Sequence, residues 1–236
     1  MRTVPATAPL ELGFGWNERG TRGKRARAVA PRPRLPMAWN VEETKAKLRA
    51  AAVQEFAEHG LAGTRVEHIA QRAGVNKERI YNYFGSKEQL FATVLSEELE
   101  RVAEAVPILG GEGDDIGEYA GRAFDYHCEH PALVRLLHWE ALELPPGRPA
   151  PYEAERAAAY AHKAAALEAA QRDGRLTTDA DARDLLFVVI AMSAWWAAMP
   201  QVARMITGAD DSPGERARRR ASVVAAARGL IPAAPE

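Results

Sequence analysis

The chain has 236 residues, enough for one large domain or two small ones, and its hydrophobic (47%) and charged (27%) shares exclude wholesale disorder. The single cysteine, Cys128, excludes an intrachain disulfide and a multi-cysteine zinc site, and it suits a reducing, cytoplasmic setting. The net charge of −1 conceals a gradient: residues 1–36 hold eight basic and two acidic side chains, residues 37–91 eight and seven, and residues 92–236 fifteen and twenty-three, so contact with a polyanion falls to the N-terminal part.

Residues 1–36 carry five prolines, four glycines and the basic run Arg22, Lys24, Arg25, Arg27, Arg32, Arg34, without apolar periodicity. Residues 1–39 are therefore expected to be a disordered basic arm. Two readings stand for it: an arm that adds nonspecific attraction to phosphates, or sequence upstream of a true translation start at Met37. Glu11, Gly13, Gly15 and Asn17 interrupt any secretory core, so export is not expected.

From Asn40 the pattern becomes helical. Asn40 offers an N-cap, Leu48, Ala52 and Phe56 form an apolar stripe at four-residue spacing, and Gly60 supplies a stop, predicting a helix over 41–59. Thr64-Arg65-Val66-Glu67 reads as a capping box for a short second helix with Val66, Ile69, Ala70 and Ala73 inward. Gly74-Val75-Asn76 makes a tight turn, with Asn76 capping a third helix from Lys77 to Phe84. Ile80 and Phe84 face the core, which turns Glu78, Arg79, Tyr81 and Asn82 outward. Gly85 ends that helix, and Ser86-Lys87-Glu88-Gln89 caps a fourth.

Further helices are predicted near 86–105, 115–129, 131–144, 152–173, 179–199 and 213–229. They are separated by Gly110 to Gly113, Pro145 to Pro149, Asp173-Gly174 and Gly208 to Pro213. No strand alternation and no repeat is present, so the fold class is all-α: a three-helix helix-turn-helix domain over 40–91, then a helical domain over 92–236. The apolar run Leu185 to Met199 is broken by Ser193 and falls short of the ~20 residues that span a bilayer, so it reads as a buried helix and no membrane contact is expected.

Two short helices joined at Gly74, the second with a polar outer face, suit entry into a DNA major groove. Arg79 and Asn82 have the donor geometry for base edges, while Lys77, Tyr81, Tyr83 and Lys87 suit phosphates or sugars, and Thr64 could cap helix two and also meet a phosphate. Phe56-Ala-Glu-His-Gly60, Thr64, Ile69-Ala70, Ala73-Gly74-Val75 and Ile80-Tyr-Asn-Tyr-Phe-Gly-Ser-Lys-Glu-Gln-Leu-Phe91 together resemble the N-terminal domain of the TetR transcriptional regulators over residues 44–91. The resemblance implies a double-stranded operator as partner, backbone contacts from Thr64, Tyr81, Tyr83 and Lys87, and base reading by residues 77–82; Arg65 joins this set. Glu78-Arg79 departs from the small residues usual there. Glu78 either accepts from a cytosine amine or pairs with Arg79 or Asn82 at the surface.

The resemblance further implies a repressor released by a small-molecule effector, with a pocket in the C-terminal domain and a homodimer through the last two long helices. Tyr126, Trp139, Met192, Trp195, Trp196 and Met199 are candidates either for an apolar effector pocket or for core and dimer seam. His127, Cys128, His130 and His138 with Glu129 and Glu140 lack zinc spacing and are expected to pack or cap, so no metal and no cofactor are predicted. No phosphate loop, nucleophile elbow or HExxH pattern is present, and no catalytic residue is assigned. The competing reading is a helical ligand- or metal-binding protein whose helix-turn-helix makes protein contacts only, supported by that His/Cys/Glu cluster.

Overall fold

The computed structural model describes residues 39–108, 115–208 and 210–229, and among these the chain forms ten helices and no strand. The basic arm and the Gly110 to Gly113 turn lie outside the described residues.

Helix α1 (Trp39–Gly63) buries Leu48, Ala52 and Phe56, the stripe expected from the sequence. It starts ahead of Asn40, which is therefore not its cap, and it resumes for one turn beyond Gly60. Gly60 itself adopts φ 72°, ψ 179°, a backbone state close to glycine-only, so the regular helix stops there as expected and one further helical turn follows across the bend. Helix α2 (Val66–Ala73) has no side-chain cap. The expected Thr64 capping box does not form, because Thr64 is buried and its hydroxyl faces the carbonyls of Gly60 at 2.6 Å and Glu55 at 3.1 Å.

Gly74 takes the left-handed conformation at the end of α2, and the Asn76 side chain accepts from the Glu78 N–H at 3.0 Å to start α3 (Glu78–Phe84). Ser86 then caps α4 (Lys87–Ala105) by accepting from the Gln89 N–H. Both expected caps are in place. Ile80, Leu90 and Ile69 are fully buried with Phe56, whose ring meets Phe91 edge-on at 5.1 Å.

Helix α4 runs without a break through Phe91, where the sequence suggested a domain boundary, and one continuous core extends from Leu48 to Ala227. A helix shared by two halves binds them mechanically, because neither can shift without disturbing the packed side chains of the other.

The remaining helices are α5 (Ile116–Glu129), α6 (Pro131–Glu143), α7 (Glu153–Arg172), α8 (Ala182–Ala198), α9 (Pro200–Thr207) and α10 (Pro213–Gly229). Helix α5 packs against both α8 and α10. At Gly117 an added Cβ would lie 2.9 Å from the Val224 carbonyl, so the missing side chain is what lets α10 approach. Arg228 pairs with Asp115 and Glu118, and Arg220 with Asp125, along the same seam. The Ser193 hydroxyl, fully buried on α8, reaches the Val189 and Ala120 carbonyls, which satisfies its polarity inside the core.

Helix α9 was not expected from the sequence. Pro200 interrupts α8 and then occupies the first turn of α9, where its missing N–H costs nothing, and the two helices meet at 86°. Among the described residues no single helix is long and apolar enough to cross a membrane.

Candidate nucleic-acid interface

Helix α3 makes about two turns in seven residues. Ile80 is buried, and Tyr83 and Phe84 pack partly against the core, which leaves Glu78, Arg79, Tyr81 and Asn82 exposed on the opposite side. Tyr81 is 50% exposed, large for an aromatic, and Asn82 beside it is exposed with an amide able to pair with a base edge.

Several predicted contact residues are already engaged. Lys77 pairs with Glu67 at 2.9 Å across the turn, which raises the lysine pKa and lowers that of the glutamate, chiefly through their mutual hydrogen bond. Arg79 donates to the Tyr83 hydroxyl at 3.2 Å, so the surface pair of Glu78 with Arg79 or Asn82 weighed from the sequence is not formed. Glu78 points to solvent. Tyr83 is only partly exposed, beneath the Lys45 ammonium at 5.9 Å, a residue of α1 that sequence reasoning did not include. Lys87 donates to the Thr64 carbonyl at 3.0 Å, tying α4 to the loop before α2. Thr64 is buried, so its side chain is unavailable to a phosphate. Arg65, just before α2, is exposed.

Behind this surface the α2 orientation is set by an ion pair: Arg72 donates to the buried Glu55 carboxylate at 2.8 Å. A buried carboxylate stripped of its partner is costly, so the pair holds α2 against α1 in one register.

The bend in α1 is gripped by one face of α6. Arg135 donates from Nε to the Ala57 carbonyl at 2.5 Å, and Trp139 donates from Nε1 to the same oxygen at 3.3 Å. Glu143 accepts from the N–H groups of Leu61 and Ala62, each at 3.1 Å. Residues at i, i+4 and i+8 thus satisfy backbone groups that the bend at Gly60 leaves without helical partners. Charge-assisted bonds of this kind exceed neutral ones in strength. The four-residue spacing of 135, 139 and 143 was visible in the sequence, but their target was not. Between them, Glu140 takes a bidentate hydrogen bond from Arg156 of α7 at 2.8 and 2.9 Å.

The aromatics and methionines read either as an effector pocket or as core and dimer seam are spread over α5, α6 and α8 and the residue after α8. Trp139 belongs to the α6 grip just described. Tyr126 is buried and stacks on His130, with ring centroids 4.1 Å apart. Trp195 is 55% exposed on α8, Met192 packs at the margin of the core, and Met199 caps α8. Trp196 lines a cavity of about 420 Å³ with Phe124, Cys128, Arg204 and Arg219, and the guanidinium of Arg219 lies over its ring at 5.5 Å. The reason is rotational: these residues leave their helices in different directions, and the helices face different neighbours.

The His/Cys/Glu cluster is likewise dispersed. His127 is buried, which drives its pKa down, Cys128 is half-buried with its thiol pushed up for the same reason, and His138 bonds to the Val134 carbonyl at 2.7 Å. Among the described residues no three His, Cys, Asp or Glu side chains are placed to hold a metal ion.

A buried three-helix scaffold that turns the outer face of its third helix to solvent defines a helix-turn-helix DNA-binding protein. Residues 48–94 match the family described as "Bacterial regulatory proteins, tetR family", and residues 115–229 match "Tetracyclin repressor-like, C-terminal domain". The chain is 42% identical over 190 residues to the HTH-type transcriptional repressor SCO4008 of Streptomyces coelicolor, covering 80% of this chain and 96% of that one. It is 28% identical to the HTH-type transcriptional regulator RutR of Escherichia coli K12, covering 80% and 84%. The crystal structure of SCO4942 from Streptomyces coelicolor superposes with a TM-score of 0.69 at 37% identity, covering 80% of this chain and 98% of that one. The chain belongs to the TetR family of DNA-binding transcriptional regulators, a family of regulators rather than enzymes.

Proposed function

We propose that this regulator is a homodimeric repressor that a small-molecule effector releases from its operator. The observation that carries the DNA-reading part is the outer face of α3, where Arg79, Tyr81 and Asn82 stand clear of a core anchored by Ile80. Arg79 and Asn82 read bases, Glu78 selects against or for particular pairs, and Tyr81, Lys77, Arg65 and the rim residue Lys45 meet the backbone. Tyr83 and Lys87 hold the readers in place, and reach phosphate only from the edge of the site.

Dimerisation is supported by α8 and α10. Phe187 (74% exposed), Val188, Ala191 and Trp195 form an uncovered apolar face on α8, and the outward face of α10 carries the small residues Ala221, Ser222 and Ala225. An apolar helix face of that extent in water favours a second copy, and small residues permit close approach. Two copies would present two recognition helices to major grooves roughly 34–36 Å apart.

The α6 grip supplies the route from effector to DNA. Effector binding that moves α6 pulls on both sides of the Gly60 bend, and so changes the angle at which α2 and α3 leave α1. A ligand shifts that equilibrium only by its differential affinity for the two arrangements. The experiment is selection of bound sites from random and genomic duplexes with the purified dimer. A preferred two-fold site is expected, with Arg79→Ala relaxing preference at one position of each half-site by about 1–3 kcal/mol. No preferred site in the selection would end this reading.

A further inference from the structure

The cavity between α4 and α7 has about 130 Å³ of room, walled by Leu99, Val102 and Ala103 on one side and Ala159 and Tyr160 on the other. Lys163 lies in the same wall. A lysine near a surface ordinarily extends its ammonium into water while its stem covers apolar neighbours. Lys163 instead turns inward: its Nζ lies 3.5 Å from the hydroxyl of buried Tyr119 and 5.6 Å from the centre of that ring. Tyr119 cannot neutralise it, since burial pushes the phenol up to about 12 and keeps it protonated.

No carboxylate among the described residues offsets the charge. Burial alone pulls the Lys163 ammonium below the usual lysine value, with no acidic side chain opposing it. Glu100, on the facing wall, is exposed and takes a hydrogen bond from Ser96 instead, Glu155 is exposed at the mouth, and Arg156 is committed to Glu140. A half-buried cation beside a cavity, with only the Tyr119 hydroxyl and ring as partners and no carboxylate bonded to it, lacks a counter-charge that an anion would supply.

We propose that this cavity is the effector site and that it selects a small organic carboxylate, an anionic head on an apolar body, with Lys163 holding the head. This rests on the proposal that the C-terminal helices bind an effector, and it names the chemistry of that effector. Arg156 lines the same cavity and holds Glu140 of α6, one residue from Trp139 and three from Glu143. A carboxylate that draws on Arg156 therefore loosens the tie between α7 and the helix that grips the α1 bend.

The full-length protein is titrated calorimetrically, without DNA, with benzoate, benzyl alcohol and benzylammonium, and with the corresponding hexyl series. Carboxylates are expected to bind at least about tenfold, or ~1.4 kcal/mol, more tightly than the alcohol or ammonium of the same frame. Lys163→Met should remove about tenfold or more of carboxylate affinity and leave the alcohols unchanged, while Lys163→Arg should keep carboxylate affinity within a few-fold. Thermal melts of both variants confirm folding, and Lys163→Met should melt no lower than the parent, because it removes a desolvated charge.

Preference for the ammonium compounds would overturn the proposal in favour of Glu100 and Glu155 as determinants. Carboxylate affinity unchanged in Lys163→Met, or no carboxylate bound in either series, would overturn it outright. Because the titration contains no DNA, carboxylate binding with this pattern stands even where operator selection fails, and operator selection stands even where carboxylates do not bind.

Discussion

Replacing Gly60 with alanine tests the grip of α6 on α1 at its tightest point. The residue sits at φ 72°, ψ 179°, and an added Cβ would lie 2.5 Å from Glu143 Oε1 and 2.7 Å from Trp139 Cε3. The backbone state by itself costs a non-glycine residue about 1–3 kcal/mol. Relieving the contact displaces the Glu143 carboxylate from two N–H groups, and hydrogen bonds to charged groups contribute roughly 1.5–3 kcal/mol where water cannot replace them. Ala62 is exposed and water does replace part of that, so the expected total for Gly60→Ala is about 2–4 kcal/mol, within the range of the larger single-residue effects. Urea unfolding reads it as a lower midpoint at unchanged slope.

A double-mutant cycle isolates the cause. Glu143→Ala removes the atom that the new methyl strikes, so it should cost less in the Gly60→Ala background than in the parent, with a coupling of about 0.5–3 kcal/mol. Glu143→Gln, which keeps the shape and removes the charge, should speed hydrogen exchange at the Leu61 and Ala62 amides while leaving exchange in α8 and α10 unaltered. Gly60→Ala within about 0.5 kcal/mol of the parent, or additive costs in the cycle, would refute the argument that the bend is held by these contacts.

Glu67→Gln frees Lys77 from its carboxylate, so binding to all duplexes should tighten at low salt, and the dependence of log affinity on log salt should steepen by about 0.9 per phosphate gained, read by fluorescence anisotropy over a salt series. Trp195→Glu places a charge on the uncovered face of α8 without touching the monomer core; sedimentation should show a monomer, with operator binding lost and helicity retained. Burial holds His127 below its ordinary value of 6.5, so the unfolded chain takes up its proton first as pH falls. The stability this residue confers is complete above that value and is lost through the window between 6.5 and the lower folded value; His127→Phe should flatten this acid slope in urea midpoints.

The helix-turn-helix was legible in the sequence because its signals are local. The Leu48, Ala52, Phe56 stripe, the Asn76 and Ser86 caps and the left-handed glycine at Gly74 act within one or two turns of chain, and each formed as the residue types dictate. The outward set of α3 follows from helical geometry with Ile80 as its anchor. The Thr64 capping box failed because the bend at Gly60 brings the Glu55 and Gly60 carbonyls, nine and four residues back, to its hydroxyl, and those bonds replace the cap.

Helical periodicity with the Gly and Pro breaks established that the chain is helical, where most of its turns fall, and which side chains of α3 leave the core. The tertiary structure decided what the side chains around α3 do before DNA arrives, pairing Lys77 with Glu67 and Lys87 with the Thr64 carbonyl. It likewise decided that Trp139 serves the α1 bend, that Trp195 faces outward, and that Lys163 faces a cavity. Periodicity assigns a residue to a face of its helix, but the meaning of the face depends on which helix is packed against it, and that partner is fixed by contacts tens of residues away.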